Sequence, residues 1–168
     1  SNCVYVSGNL CGSTQTLPPF NCNGFTAANG YDVWYRVVPA QATMNVNCIS
    51  GITTDVVVGV YSGTCGNLTL AYCADATGTG GTEAINATVT VGATYYIRVY
   101  DHNSNTTGTD FAICVSQNCV GNTNNGCGSA DVLTIGSTCS YTDGDLCAAT
   151  QSLSPSNCSG ATAQDALD

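Results

Sequence analysis

The chain has 168 residues, only 8% of them charged, with two arginines, no lysine and eleven acids for a formal charge of -9. That length holds one β domain and part of a second, and so acidic a surface repels phosphate backbones and anionic lipid headgroups, which argues against nucleic-acid binding. Twelve cysteines beside a single histidine, with no CxxC pair, point to disulfides in an oxidising compartment rather than to zinc or iron–sulfur ligation.

Short β-branched and aromatic runs bounded by Gly, Asn, Pro and Asp follow one another along the chain, with almost no helical periodicity. In chain order the predicted strands are 32–38, 43–48, 55–61, 68–73, 83–91, 94–100 and 110–116. In the sixth, alternation puts Tyr95, Ile97 and Val99 on one face and Tyr96, Arg98 and Tyr100 on the other. Two such sheets packed face to face bury one side of each strand. The expected fold is therefore all-β, a disulfide-rich antiparallel β-sandwich of jelly-roll or immunoglobulin-like type. The polar stretches 78–82 and 102–109 are its expected end loops. The apolar runs are of strand length, so neither a signal peptide nor membrane insertion is expected, and Ser1 reads as the start of a processed chain or of a fragment.

Sliding the chain against itself reveals a repeat. At an offset of 136, residues 1–32 align without gaps to residues 137–168, and 16 of the 32 pairs are identical. The identities include Cys3 with Cys139, Tyr5 with Tyr141, Cys11 with Cys147, Pro19 with Pro155, Cys22 with Cys158 and Asp32 with Asp168. The domain reading is a β-sandwich body at 1–118 and a C-terminal partial repeat at 119–168, which has the opening of a sandwich without its body.

Several runs carry a family resemblance: NNGCGSADVL at 124–133, DVWYR at 32–36, VYSGTCGNLTLAYCAD at 60–75, TYYIRVYD at 94–101 and GTDFAICV at 108–115. Together they resemble the β-sandwich repeats of large secreted bacterial surface proteins, which are similar to adhesin and pre-peptidase C-terminal jelly-roll modules. The resemblance implies tandem repetition and an adhesive or scaffolding role, not a reaction. It also implies that the NxxC segment precedes the DVWY strand, whereas here its one copy, 124–135, follows the body.

A sandwich short of its opening strand exposes a row of backbone donors and acceptors, and an open edge invites a strand from another chain. The expectation is that residues 119–168 of one copy, with Asn124, Cys127, Val132, Leu133 and Ile135 in the joining segment, complete the body at about 33–118 of the next. A heterologous contact that does not close produces a filament. The partner is then the chain itself, head to tail, and the location extracellular. The alternative is a window on a long covalent array, working as an adhesive or carbohydrate-binding module. One difficulty attends the first reading: residues 1–32 and 137–168 compete for the same place in the body. Cysteine parity bears on the same choice, because one 136-residue period holds nine cysteines and the whole chain twelve.

Individual residues suggest further chemistry. Cys65 with Cys73, flanking a predicted strand, and Cys127 with Cys139 are the expected disulfides. Asn67, Asn86, Asn105 and Asn157 head N-x-[ST] sequons, so glycans are possible partners, although a chain this rich in Asn and Thr yields such matches by chance. His102 is the sole histidine, and no GxSxG stands near it, so no catalytic constellation is expected. Asp75, Asp101 and Asp110 have the oxygen chemistry that calcium prefers, but form no EF-hand or nonapeptide repeat, and no metal or cofactor is expected. Trp34, Tyr35, Tyr95, Tyr96 and Tyr100 are either a sugar-stacking platform or, the commoner outcome for aromatics in strong strands, sheet packing.

Overall fold

The computed structural model describes residues 3–105, 107 and 109–117, together with the backbone of 157–158 and 161–162. The chain divides into two compact units, Ser1–Asn118 and Cys119–Asp168. The first is built from β1 (Val6–Asn9), β2 (Thr14–Gln15), β3 (Tyr31–Val37), β4 (Thr43–Ser50), β5 (Val56–Thr64), β6 (Asn67–Ala74), β7 (Thr82–Thr88), β8 (Tyr95–Asp101) and β9 (Asp110–Ser116). They form a four-stranded sheet in the order β1-β9-β4-β7 and a five-stranded sheet in the order β2-β3-β8-β5-β6, antiparallel throughout. The fold is an all-β, disulfide-containing sandwich. The seven predicted strands are β3 to β9. The two short strands β1 and β2 have no counterpart among the predictions.

Strand alternation builds the core. Met44, Val46 and Cys48 of β4, Ile85 and Ala87 of β7 and Phe111 and Ile113 of β9 face Val56, Val58 and Val60 of β5 and Ile97 and Val99 of β8. Leu10, fully buried where the chain leaves β1, joins this cluster. Glu83 also points inward. Its carboxylate accepts hydrogen bonds from the amides of Ala76 (2.9 Å) and Thr77 (2.6 Å) and from the Thr77 hydroxyl (2.6 Å), which tethers the loop after β6.

Every residue of β5 from Val56 to Tyr61 is buried, because the outer face of its sheet is covered too. The cover is a strap, residues 16–30, that crosses the sheet and lays Phe20 and Ala27 on Val57 and Tyr100. Phe20 fits there because Gly59 has no side chain: a Cβ at that position would stand 2.9 Å from the ring. Within the strap Cys22 and Phe25 exchange two backbone hydrogen bonds of 2.9 Å. In the second unit the described backbone pairs β10 (Asn157–Cys158) with β11 (Ala161–Thr162), Cys158 opposite Ala161. At the repeat offset of 136 that is the pairing of Cys22 with Phe25.

Two disulfides pin the first unit, Cys3–Cys114 and Cys22–Cys73, with sequence separations of 111 and 51. Loops of that length give about 4–5 kcal/mol each in the chain-entropy account. The expected Cys65–Cys73 bond is overturned. Cys65 and Gly66 form the two-residue turn of the β5–β6 hairpin, where Gly66 takes a φ of 93°. Cys73 lies down the same extended strand, about 25 Å away at the rise of a β-strand, far beyond the reach of a disulfide. Cys65 is exposed and, with Cys11 and Cys48, forms no disulfide among the described residues. The Cys127–Cys139 pairing lies outside the described residues.

The assignment is tested by substitution. Cys73→Ser is expected to lower the unfolding free energy by about 2–5 kcal/mol. Cys65→Ser is expected to change it by less than about 0.5 kcal/mol, as for an exposed turn residue. Chemical denaturation under non-reducing conditions reads both, and equal losses would contradict the pairing.

Candidate functional site

The site grows from a buried charge. Arg98 of β8 points to the outer face of the five-stranded sheet and is fully buried, as is the side chain of its partner Asp32 on β3. The guanidinium meets the Asp32 carboxylate at 2.7 and 2.8 Å and donates further hydrogen bonds to the carbonyls of Pro18 (2.8 Å), Gly30 (3.1 Å) and Leu17. The Asp32 carboxylate also accepts from the Thr16 amide and hydroxyl and from the Trp34 indole, so no donor or acceptor of the pair is stranded. Tyr100 stacks its ring 4.7 Å from the guanidinium carbon. Burial pushes the Tyr100 phenol up to about 12, against the lowering pull of Arg98.

This node holds the strap at one end of the sheet, where β3 is bordered by the two residues of β2 alone among the described residues. Beyond it the sandwich is open along the side between β1 and β3. β2 pairs only with Tyr31 and Asp32, so Val33–Val37 have no strand on their outer side among the described residues. On the facing sheet β1 is the outermost strand. Val6 lies directly opposite Ile113, so both side chains point to the core. Ile113 is 4% exposed, yet Val6 is 58% exposed and Val4, two residues earlier, 80%. Val115, next on the inward face of β9 after Ile113, is also exposed. Val33, Tyr35 and Val37 pack against the core from the β3 side and are only partly buried. Tyr35 reaches across the seam to Gly8 and Phe111.

On the outer face, next to the seam, lies a groove of about 490 Å³ that the strap leaves uncovered. Thr16 and Leu17, Trp34, Tyr35 and Arg36 of β3, Tyr96 of β8, and Cys65, Gly66 and Leu68 of the β5–β6 hairpin line it. Of the five aromatics singled out in the sequence, Tyr95 and Tyr100 are interior, Tyr35 bridges the seam, and Trp34 and Tyr96 stand in the groove.

The remaining candidates fall elsewhere. Asp75 approaches His102 Nδ1 at 3.0 Å beside a cavity of about 210 Å³, which Asp55 and Phe25 also line. Burial raises the Asp55 carboxyl above its usual range, with the charge of His102 opposing. Asp101 accepts from the amides of Asp55 and Asn105, while Asp110 accepts from Asn9 away from that loop cluster. No group of three or more His, Cys, Asp or Glu among the described residues is arranged to hold a metal. Asn67, Asn86 and Asn105 are exposed. Asn157 is described by its backbone alone, and Asn124, Cys127, Val132, Leu133 and Ile135 lie outside the described residues. The strand pattern of the sequence does not show the strap and its Arg98 contacts, nor the exposed inward Val6 of β1.

No family model and no curated protein sequence matches the chain. Among solved structures it is similar to the pre-peptidase C-terminal domain of the collagenase of Bacillus anthracis, at 13% identity and a TM-score of 0.40 over 68% of this chain and 89% of that one. The disulfides mark an oxidising setting, and no helix among the described residues is long and apolar enough to cross a membrane.

Two outcomes test this description. Arg98→Met leaves the Asp32 carboxylate buried without its cation and is expected to cost about 3–5 kcal/mol in thermal or chemical unfolding. A loss below about 1 kcal/mol would show that the strap is held by other contacts. Cys48, whose thiol burial and the nearby Glu83 charge push up to about 12, is expected to resist alkylation at pH 9 in the folded protein and to react on unfolding, as peptide mass mapping would show. The folded value lies above the unfolded one, so the thiol's share of stability is intact below pH 9 and declines as pH rises towards 12. Ready alkylation of the folded protein would contradict its place in the core.

Proposed function

We propose that this chain is a non-catalytic structural protomer of an extracellular filament, in which the seam between β1 and β3 receives an extended segment, residues 124–135, from another copy. One observation carries the reading: Val6, in register with the core residue Ile113, is exposed, as is Val4 before it, beside a β3 edge that has no strand along Val33–Val37 among the described residues. Apolar side chains on the core side of a sandwich and unpaired backbone on its rim are what an added strand covers together. The fold also supports a choice between the two competing copies of the opening segment. Residues 6–32 supply β1, β2 and the strap of their own body, so the place is taken. The joining segment is then 124–135, and 137–168 opens a further unit. This narrows the acceptor from a body at about 33–118 to a body that already includes its own first strands.

A specific observation favours a second arrangement of the same parts. The Cys22–Phe25 pairing recurs at offset 136 as Cys158–Ala161, the mark of tandem units. In a covalent array the segment would fill the seam of the unit that follows it in the same chain, and the module would serve as a link of a surface fibre or adhesin. In both arrangements exposed Asn67, Asn86 and Asn105 are proposed glycan sites, where sugars would solvate a surface that has few charges.

Sedimentation velocity and negative-stain microscopy of the purified chain distinguish the outcomes. Concentration-dependent growth into fibres is expected, with deletion of 119–168 abolishing fibres and preserving the β-sheet circular dichroism of the first unit. A monodisperse monomer at high concentration would overturn self-assembly, and fibres that survive the deletion would overturn the role of the tail.

A further inference from the structure

Association between copies of this chain meets an electrostatic obstacle. Residues 1–118 hold six acids and two arginines, and residues 119–168 hold five acids and no base. Body and tail therefore repel. Of the two arginines, Arg98 is buried and neutralised by Asp32. Arg36 is thus the one exposed side chain in the sequence with a permanent positive charge. It stands on the open edge strand β3, opposite Tyr96 and on the same outward face as Trp34, and lines the groove beside the seam. Among the described residues no carboxylate lies within ion-pair distance of it. In a chain with eleven acids, this exposed arginine has no carboxylate partner among the described residues, and it stands on a strand edge that itself lacks a partner there.

The segment 119–136 contains one acid, Asp131, within the run Ala130-Asp131-Val132-Leu133-Thr134. Resting on the strand-addition reading above, we propose that Arg36 recognises Asp131 of the incoming copy and sets the register of the added strand. Strand arithmetic makes the two consistent. An antiparallel addition that places Asp131 beside Arg36 brings Leu133 beside Trp34 on the outer face, at the apolar groove. It brings Val132 beside Tyr35 and Ala130 beside Val37 on the inner face, against the exposed core. A slip by one residue turns Asp131 inward, where no cation waits, and sends Val132 out. The addition ends at Val33, because β2 pairs with the residue before it. The pair thus supplies attraction between like-charged units and selects a single register, the use to which polar groups at packed interfaces are best attested to be put.

Charge exchange tests the pairing in the full chain. Arg36→Asp and Asp131→Arg, each alone, place like charges side by side, and each is expected to weaken association about ten- to a hundred-fold in sedimentation velocity, on the scale of rim-to-core charge pairs. The double variant Arg36→Asp/Asp131→Arg keeps the formal charge of -9 and is expected to return to within about threefold of the unchanged chain. An equimolar mixture of the two single variants is expected to assemble as well, since each tail then meets its complement. Circular dichroism verifies folding, and Arg36→Gln with Asp131→Asn replaces any swap that perturbs it. Single variants that assemble like the unchanged chain would overturn the charge pair and leave strand addition standing. Loss in the singles without recovery in the double would also overturn it. An unchanged chain that stays monomeric would overturn both the pair and the reading beneath it.

Discussion

A guanidinium buried in a β-sheet constrains everything around it. Taking Arg98 out of water is costly unless its charge is matched and each N–H finds an acceptor. The matching carboxylate, Asp32, comes from β3, and the carbonyls of Leu17, Pro18 and Gly30 come from the strap, so both must lie where the arginine can reach them. A segment with no regular secondary structure beyond one backbone bridge is thereby folded across a sheet face, closed at its centre by Phe20 on Gly59 and bolted by Cys22–Cys73. Some of the residues in this arrangement are identical in the two copies of the opening segment: Leu17, Cys22, Ala27 and Asp32 recur as Leu153, Cys158, Ala163 and Asp168, whereas Pro18, Phe20 and Gly30 are replaced by Ser154, Ser156 and Ala166.

The same constraint decides which parts of the first unit stay uncovered among the described residues. With the strap committed to the half of the outer face around Tyr100 and Val57, the half around Trp34, Arg36 and Tyr96 stays bare. With β1 committed to β9 and β2 reaching only to Asp32, the edge of β3 beyond it stays unpaired among the described residues. Site and scaffold are thus two sides of one arrangement. Sandwiches ordinarily protect such edges with charges, prolines or short strands. Here protection is slight: β3 carries a single charge along its open edge, Arg36, in a chain whose other charges are nearly all of the opposite sign.

How much of this was legible in the sequence depends on the range of the interaction. Period-two alternation located β3 to β9 and divided β8 into its two faces, because burial of one side of a strand is a local signal. The same alternation could not say that Arg98 and Tyr100 are buried as well. That burial comes from the strap, whose Pro, Gly and Asn content reads as loop. β1 and β2 escaped because four and two residues carry too little pattern, and in β1 the inward positions hold exposed Val6 and then Gly8. The Cys65–Cys73 expectation failed through treating closeness in sequence as closeness in space, although eight residues of extended chain hold two cysteines apart. Cys22–Cys73 had no sequence signature, since it joins a strap to a strand across a sheet face. The seam was not legible in the strand pattern: the unpaired outer side of Val33–Val37 and the exposed Val6 of β1 appear only in the pairing and the packing.

The central claim, that the edge of β3 waits for a strand from another copy, is tested most directly by amide hydrogen exchange at Val33–Val37 in dilute and assembled samples. The account predicts that the amides in this stretch that point away from β8 exchange rapidly in the dilute chain. In the assembly they should slow by about a hundredfold or more, as for amides drawn into a stable ladder. Protection of those amides already present in the dilute chain, or unchanged rates in the assembly, would contradict it.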